Sequence, residues 1–206
     1  MLTHRTILKS NLMLPYAYAN AVFSSKQIET IIHLGQSLDL QTGTIIKDEK
    51  NNLGPEIDKN IRTSKTAFIK MDTESSWIFE RLDEVLTALN NEYYQMDVWG
   101  YDDIQYSEYR VEDKGEYNWH MDTNTGAENK ESSGGIRKLS ATLLLNDDFE
   151  GGDFQMNLSS EKKPSTIEMT AGTLILFPSI FLHRVTPVTL NTRKSLVLWL
   201  LGNKYA

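Results

Sequence analysis

The stretch Tyr117-Asn118-Trp119-His120-Met121-Asp122 places an imidazole and a carboxylate two residues apart. Side chains of an extended strand alternate between its two faces, so His120 and Asp122 would leave the same face. One histidine and one carboxylate are two of the three ligands of a 2-His-1-carboxylate iron site. A His-x-Asp pair alone is weak evidence, because it equally describes a surface histidine beside a surface aspartate.

A third ligand is available at His183, which follows the turn marked by Pro178 and Ser179 and begins an apolar strand. A lone histidine beside an apolar strand is often a hydrogen-bonded core residue. Together with His120 and Asp122, however, it would complete three ligands on one side of a metal and leave the remaining positions open.

Arg193 lies ten residues after His183, beyond the turn at residues 190–192. If the two flanking strands pair, His183 and Arg193 can reach the same sheet interior from adjacent strands. A buried guanidinium needs an anionic partner, and a dicarboxylate bound to the metal at its other end would supply one. The alternative is an exposed edge-strand arginine, and alternation does not decide whether Arg193 or Lys194 points inward.

Three further residues are candidates for the same cavity: Tyr109, which precedes His120 on the preceding strand, and Thr142 and Leu144 on a strand expected to cross the site. Tyr109 could donate a hydrogen bond to a carboxylate. A core tyrosine bonded to the backbone is the competing interpretation.

Composition narrows the possible partners. The 206-residue chain carries a net charge of -7, which disfavours nucleic acid and anionic membranes because phosphate binding needs clustered Lys and Arg. It contains no cysteine, which excludes disulfides and thiol nucleophiles, and no apolar run long enough to span a membrane. We therefore expect a cytoplasmic protein; composition leaves its oligomeric state open.

The order of elements predicts a mainly β (α+β) fold. A helix should begin after Ser24, which forms a capping-box pattern with Gln27, and a second should run from Glu74 to Tyr93. Short strands are predicted around 67–69, 104–111, 138–146, 153–158, 166–169, 173–177, 183–188 and 194–201. This order suggests one domain over 1–206, with a helical support region at 1–95 packed on a jelly-roll-like core at 96–206.

Two polar features fall outside these elements. The long segment from Thr123 to Gly135 is placed to act as a lid. The acidic pairs Asp102-Asp103 and Asp147-Asp148 could contact a cationic substrate, although acidic pairs in turns are usually solvated.

Taken in order, these residues resemble the 2-oxoglutarate/Fe(II)-dependent dioxygenases, specifically the prolyl 4-hydroxylase-like branch that includes PKHD-type hydroxylases. The resemblance covers most of residues 60–202 and runs through Arg62-Thr63-Ser64, Tyr109, Gly115-x-Tyr117-x-x-His120-x-Asp122, Arg137 to Leu143, Glu150-Gly151-Gly152, Ala171-Gly172-Thr173, Phe177-Pro178-Ser179, Leu182 to Val188, Arg193 and Trp199.

The resemblance implies a double-stranded β-helix, a distorted jelly roll. It implies Fe(II) at His120, Asp122 and His183, 2-oxoglutarate with its distal carboxylate on Arg193, O2, and ascorbate as reductant. Tyr109, Thr142, Leu144 and Trp199 would line the cosubstrate site, and Trp119, Arg62 and Tyr117 are candidates for the substrate side. Family members often carry a tyrosine near Leu144 as a second donor to the distal carboxylate, and this chain lacks it.

The implied reaction hydroxylates a substrate C–H bond and releases succinate and CO2, with a prolyl residue of a protein or peptide as the leading substrate. The same chemistry on a free amino acid or another small molecule is an alternative. A wide groove beside the metal would favour the peptide, and a closed pocket the small molecule. A non-catalytic metal-binding jelly roll and a zinc cupin isomerase are further alternatives.

Overall fold

A computed structural model describes residues 14–49, 52–123, 135–158 and 163–203. Its helices are α1 (Ser25–Ser37) and α2 (Ser76–Leu89). Its strands are β1 (Ala17–Ala19), β2 (Gln41–Thr42), β3 (Ile45–Glu49), β4 (Asn52–Glu56), β5 (Arg62–Thr63), β6 (Lys65–Ile69), β7 (Gly100–Tyr101), β8 (Ile104–Arg110), β9 (Glu116–His120), β10 (Ile136–Leu144), β11 (Glu150–Gly151), β12 (Phe154–Met156), β13 (Ser165–Thr166), β14 (Leu174–Pro178), β15 (His183–Val185), β16 (Val188–Leu190) and β17 (Thr192–Gly202).

Two antiparallel sheets face each other. The larger has the order β1-β14-β10-β17-β8-β6-β2, with β7 paired to β17, and the smaller has the order β13-β12-β15-β9-β5. Two further pairs, β11-β16 and the hairpin β3-β4, complete the strands that the structure describes. The predicted mainly β fold, a distorted jelly roll supported by N-terminal helices, is confirmed.

Alternation along β17 divides the larger sheet into two differently used faces. Leu196, Leu198 and Leu200 pack in the cluster that contains the helices. The intervening Ser195, Val197 and Trp199 line an internal cavity on the other face. The period-two pattern of a strand therefore assigns one set of residues to helix packing and the other to the space between the sheets.

The helices cover the outer face of the larger sheet with apolar stripes. Ile31 of α1 and Ile78 and Leu82 of α2 are each 0% exposed and belong to the same cluster as the leucines of β17. A second, smaller cluster, which includes Phe154 and Phe177, lies between the sheets. Most of the buried apolar side chains therefore lie between the helices and the larger sheet. The space between the two sheets holds fewer of them and also contains polar groups.

The predicted helix ends are largely observed. Ser24 caps α1, and both reciprocal bonds of the capping box with Gln27 are present. The second helix is shorter than the predicted run from Glu74 to Tyr93: α-helical bonding ends at Leu89 and a π-helical turn, Asn90–Tyr94, follows. The side chain of Asn90 bonds both the N–H and the C=O of Met96, which holds the chain as it leaves this turn.

The first 95 residues contribute more than helices. Strands β1, β2 and β6 join the larger sheet and β5 joins the smaller one. The helical support region and the β core are therefore interleaved along the chain. Residues 124–134 of the predicted lid lie outside the described residues, as do residues 1–13. Within the described part of the chain, no helix has the length and apolarity needed to cross a membrane.

Candidate functional site

The two histidines and the aspartate predicted as ligands lie together. His120 ends β9 and His183 begins β15, and the two residues are direct partners in the smaller sheet. Asp122 lies just beyond β9, where its N–H donates to the carbonyl of Ser179 at 3.0 Å. One possible ligand atom from each of the three residues lies within 4.8 Å of the others.

Backbone hydrogen bonds fix which nitrogen of each imidazole faces the cluster. The carbonyl of Asn118 accepts from His120 Nδ1 at 2.7 Å, and the carbonyl of Phe181 accepts from His183 Nδ1 at 2.9 Å. Because a carbonyl oxygen can only accept, Nδ1 carries the proton in both rings. The Nε2 atoms then face the carboxylate of Asp122, at 3.5 Å from His120 and 3.6 Å from His183.

Burial and mutual charge set the protonation states. Burial alone would raise the pKa of Asp122, but the nearby imidazoles of His183 and His120 outweigh it and hold that pKa below its usual range. Burial lowers the pKa of His183 to about 4, against the opposing effect of Asp122. At neutral pH the site therefore offers an ionised carboxylate and a neutral His183 imidazole, the forms that bind a metal.

This donor set fits a divalent cation. The Nε2 atoms of His120 and His183 lie 3.5 and 3.6 Å from the carboxylate oxygens of Asp122, and both distances are longer than an ordinary hydrogen bond. A cation bound by all three would be held on one side and remain open on the other. His120, Asp122 and His183 are thus the residues that could hold the metal, and the bonds at their Nδ1 atoms are the usual outer support of such ligands.

Arg193 points inward and Lys194 does not. The Arg193 side chain is 2% exposed and lines the same cavity as the three candidate ligands, whereas Lys194 is half-buried on the other side of β17. The expectation that His183 and Arg193 lie on adjacent strands is wrong. His183 lies in the smaller sheet and Arg193 in the larger, so the two residues face each other across the interior.

The guanidinium of Arg193 has few partners. Its Nη1 donates to Ser195 Oγ at 3.0 Å, and its Cζ lies 5.6 Å from the ring centroid of Tyr109. Burial lowers its pKa, with Tyr109 and Asp153 opposing that effect. No carboxylate lies within ion-pair distance of it in the described part of the chain. A buried cation of this kind is a suitable site for the carboxylate of a ligand.

The remaining predicted cosubstrate residues divide between two places. Tyr109 pairs with Arg193 across β8 and β17, and both line the chamber with the candidate ligands, as does Thr142. Leu144 does not line this chamber. It is buried beside Ser195 and borders a separate cavity behind Arg193.

Stacked cations and rings form the outer part of the site. The guanidinium of Arg62 lies 4.7 Å from the Tyr117 ring, and that of Arg137 lies 3.9 Å from the Trp199 ring. Tyr117 in turn stacks on His120, with ring centroids 3.5 Å apart. The predicted substrate-side residues Arg62 and Tyr117 are thus in contact with the candidate metal site.

Two connected spaces result. A chamber of about 450 Å³, counted with the solvent-filled space at its mouth, is lined by the three candidate ligands, Tyr109, Thr142 and Arg193. A larger groove of about 1370 Å³, open to solvent, shares His120, Asp122 and Trp199 with the chamber and extends past Trp119 and Arg137. The indole Nε1 of Trp199 is buried and has no hydrogen-bond partner among the described residues, so it is free to donate to a bound molecule.

Several residues of the site were not predicted from the sequence. Ser140 and Ser179 form a buried hydroxyl pair at 2.9 Å beside Asp122, and Gln105 and Ser195 line the chamber. Alternation could have found Gln105 and Ser195, because they lie two or four residues from Tyr109 and Arg193 on β8 and β17. The Ser140–Ser179 pair joins residues 39 apart and has no local signal.

Comparisons with known proteins agree with this geometry. Residues 104–201 match the model of the 2OG-Fe(II) oxygenase superfamily. A PKHD-type hydroxylase of Synechococcus sp. (strain CC9311) is 38% identical over 93 residues, which are 44% of this chain and 39% of the relative. The chain thus spans about two fifths of the length of that curated relative.

Solved structures share the fold at lower identity. A Pseudomonas putida prolyl-4-hydroxylase matches with a TM-score of 0.67 and 18% identity, covering 91% of this chain and 92% of that one. A Trichoplax adhaerens prolyl hydroxylase, solved with a hypoxia inducible factor peptide fragment, matches with a TM-score of 0.69 and 20% identity, covering 95% and 86%. The match at residues 104–201 includes all three candidate ligands and Arg193, so the part of the chain that holds the site is similar to the 2OG-Fe(II) oxygenase superfamily and to its PKHD-type members.

Proposed function

We propose that this protein is an Fe(II)- and 2-oxoglutarate-dependent dioxygenase that hydroxylates a C–H bond of a protein or peptide substrate, with a prolyl residue as the leading target. The observation that carries the proposal is the arrangement of the chamber. His120, Asp122 and His183 lie on one side, the buried Arg193 lies opposite, and an open groove begins at the ligand cluster.

Each group has a defined part in this proposal. His120, Asp122 and His183 would bind the Fe(II), and Arg193 would hold the distal carboxylate of 2-oxoglutarate, with Tyr109 and Thr142 along the cosubstrate. When bound, the iron and the keto acid supply the oxidising chemistry, which yields succinate, CO2 and the hydroxylated product. The apolar walls at Phe154 and Phe177 exclude water from the chamber.

The groove favours a peptide over a free amino acid. It is about three times the volume of the chamber and is open to solvent, so a chain can pass the candidate metal site with one residue directed inward. The Trichoplax adhaerens enzyme, which shares the fold, was solved with a peptide bound. Arg193 argues against a non-catalytic metal-binding module, because metal binding alone gives no reason for a buried cation facing the metal ligands.

Two further parts of the proposal concern the compartment and the reductant. The absence of cysteine fits action in a reducing compartment such as the cytoplasm. Ascorbate is the expected reductant that keeps the iron ferrous between turnovers.

The experiment is a coupled assay with Fe(II), 2-oxoglutarate and ascorbate. Succinate release is measured with and without a panel of proline-containing peptides, and mass spectrometry detects the gain of one oxygen atom. Peptide-dependent succinate formation with that mass gain is expected. Asp122→Ala should abolish both signals, while Asp113→Ala, which removes an exposed carboxylate away from the site, should retain them. Full succinate release by the Asp122 variant would refute the proposed metal site.

A further inference from the structure

The structure separates the two acidic pairs of the sequence. Asp102 and Asp103 precede β8 and line the groove that begins at the candidate metal ligands. Asp147 instead borders the cavity behind Arg193, and Asp148 bonds Asn146. Among the described residues, Asp102-Asp103 is therefore the acidic pair that a molecule lying along the groove would meet.

Both carboxylates are available to a ligand. Asp102 is exposed and Asp103 half-buried, and neither makes an ion pair or hydrogen bond to a residue that the structure describes. The two arginines that line the groove contact residues other than the acidic pair. Arg62 donates to Ser64 Oγ and the carbonyl of Thr44, and Arg137 stacks on Trp199. Asp102 interacts with Arg137 at longer range, where it opposes the lowering of the Arg137 pKa by burial.

A buried acceptor points into the same groove. Gln105 is 5% exposed and lines both the chamber and the groove. Its Nε2 donates to Ser107 Oγ at 2.8 Å, which leaves Oε1 without a donor within the described chain. This oxygen is accessible from the cavity, so a bound molecule that brings an N–H to this position can donate to it.

Apolar surface adjoins these acceptors. Phe68 is the direct cross-strand partner of Gln105, and its side chain is 49% exposed in the groove. Asp103 lies in the bend just before β8, and it lines the same groove as Gln105. Oxygen acceptors beside an exposed ring match a side chain with a long apolar stem and a cationic, donor-rich end, which describes lysine and arginine.

We propose that the groove selects a peptide in which a lysine or arginine flanks the hydroxylated residue, with its stem on Phe68 and its cationic end at Asp102-Asp103. Gln105 Oε1 would accept an N–H of the same peptide. This inference rests on the proposed function for its peptide substrate and adds the charge of that substrate, which the proposed reaction leaves open.

The first test compares proline-centred peptides of equal length that carry one lysine, glutamine or glutamate at each position near the proline. Binding of the fluorescein-labelled peptides is measured by anisotropy under anaerobic conditions with Mn(II) and 2-oxoglutarate, so the readout is independent of turnover. Exposed ion pairs are individually weak, so two carboxylates should give about a tenfold preference for lysine over glutamate at the best position. The preference should shrink as salt is raised.

The second test reverses the charges. Asp102→Lys combined with Asp103→Lys should invert the preference, so that the glutamate peptide binds more tightly. Glu29→Lys combined with Glu80→Lys is the matched control, because it changes the net charge equally at exposed helix positions away from the groove. Gln105→Leu should weaken the binding of lysine and glutamate peptides by the same factor, because Gln105 Oε1 would accept from a backbone N–H of either peptide.

The outcomes are separable from those of the proposed function. Equal affinity for lysine and glutamate peptides, or an unchanged preference in the charge-reversed variant, would overturn the inference even if hydroxylation is observed. Absence of peptide-dependent succinate would count against the proposed function, while the anisotropy measurement would still decide the charge preference.

Discussion

Arg193→Met should lower the affinity for 2-oxoglutarate without lowering the stability of the fold, because the guanidinium favours binding of the ligand but opposes folding. In the native protein the guanidinium is 2% exposed and bonds Ser195 Oγ at 3.0 Å. It has no ion-pairing carboxylate in the part of the chain that the structure describes. Burying a charge without a counter-ion opposes folding, and methionine fills a similar volume without a charge.

The expected magnitudes follow from these contacts. A guanidinium that binds a carboxylate in a bidentate manner makes two charge-assisted hydrogen bonds, each contributing about 1.5–3 kcal/mol. Their loss should weaken 2-oxoglutarate binding by at least ~100-fold, since about 1.4 kcal/mol corresponds to a factor of ten. The free energy of unfolding without ligand should stay within about 1 kcal/mol of the wild-type value or increase.

Two measurements test this prediction. The dissociation constant of 2-oxoglutarate is measured by calorimetry on the Mn(II)-loaded protein under anaerobic conditions, and the free energy of unfolding is measured by urea denaturation of the metal-free protein. Lys194→Met is the matched control, because it removes the neighbouring cation, which is half-buried on the other side of β17. Arg193→Lys retains the charge but not the fork geometry, so its affinity should fall between wild type and Arg193→Met.

Unchanged 2-oxoglutarate affinity in Arg193→Met, or a larger loss of affinity in Lys194→Met, would show that Arg193 does not bind the carboxylate. A destabilisation of several kcal/mol in ligand-free Arg193→Met would show instead that the guanidinium supports the fold.

Three further predictions concern acid stability, core packing and metal positioning. In the metal-free protein, the pKa of His183 is about 4 in the folded state, against a usual value of 6.5. The unfolded chain therefore takes up this proton more readily, so the free energy of unfolding is unaffected above pH 6.5 and falls as the pH decreases towards 4. Stability should decrease by up to ~3 kcal/mol over that interval, and His183→Gln should flatten the decrease in urea titrations at successive pH values. Leu82 is a helix residue that is 0% exposed, so Leu82→Ala should lower the free energy of unfolding by about 2–5 kcal/mol, measured by urea denaturation. At urea concentrations where the variant stays folded, its Mn(II) affinity should equal that of the wild type; weaker Mn(II) binding would contradict the separation of core and chamber. Ser140→Ala removes the 2.9 Å contact with Ser179 beside Asp122 and should weaken Mn(II) binding several-fold in calorimetry, while Ser140→Thr restores it; equal affinity in all three proteins would exclude a positioning role.

Local patterns identified much of the site. The His-x-Asp spacing, the histidine after Pro178-Ser179 and the arginine ten residues later are readable without a fold, and the structure brings all four residues to one chamber. The capping box at Ser24 was likewise predictable, because it depends on residues three apart. The end of α2 was not, since the π-helical turn depends on the side chain of Asn90 holding Met96.

The placement of residues across the interior required the tertiary structure. His183 and Arg193 were expected on neighbouring strands, but the chain between them crosses from the smaller sheet to the larger, so they face each other. Leu144 was expected in the chamber and lies behind Arg193 instead. The two errors have different causes: alternation gives the face of a strand, but neither the sheet to which the strand belongs nor how far along that face a cavity extends.

The sequence by itself identified the residues that can bind a metal, two neighbouring cations of which one could hold an anion, and most of the segments that form the helices and the core strands. These depend on residues close together in the chain, where spacing and side-chain type are sufficient. The tertiary structure alone decided that Arg193 rather than Lys194 points inward, and that Asp102-Asp103 rather than Asp147-Asp148 borders the groove. Such choices follow from long-range strand pairing, which sets the neighbours of each side chain and cannot be read from any single stretch of sequence.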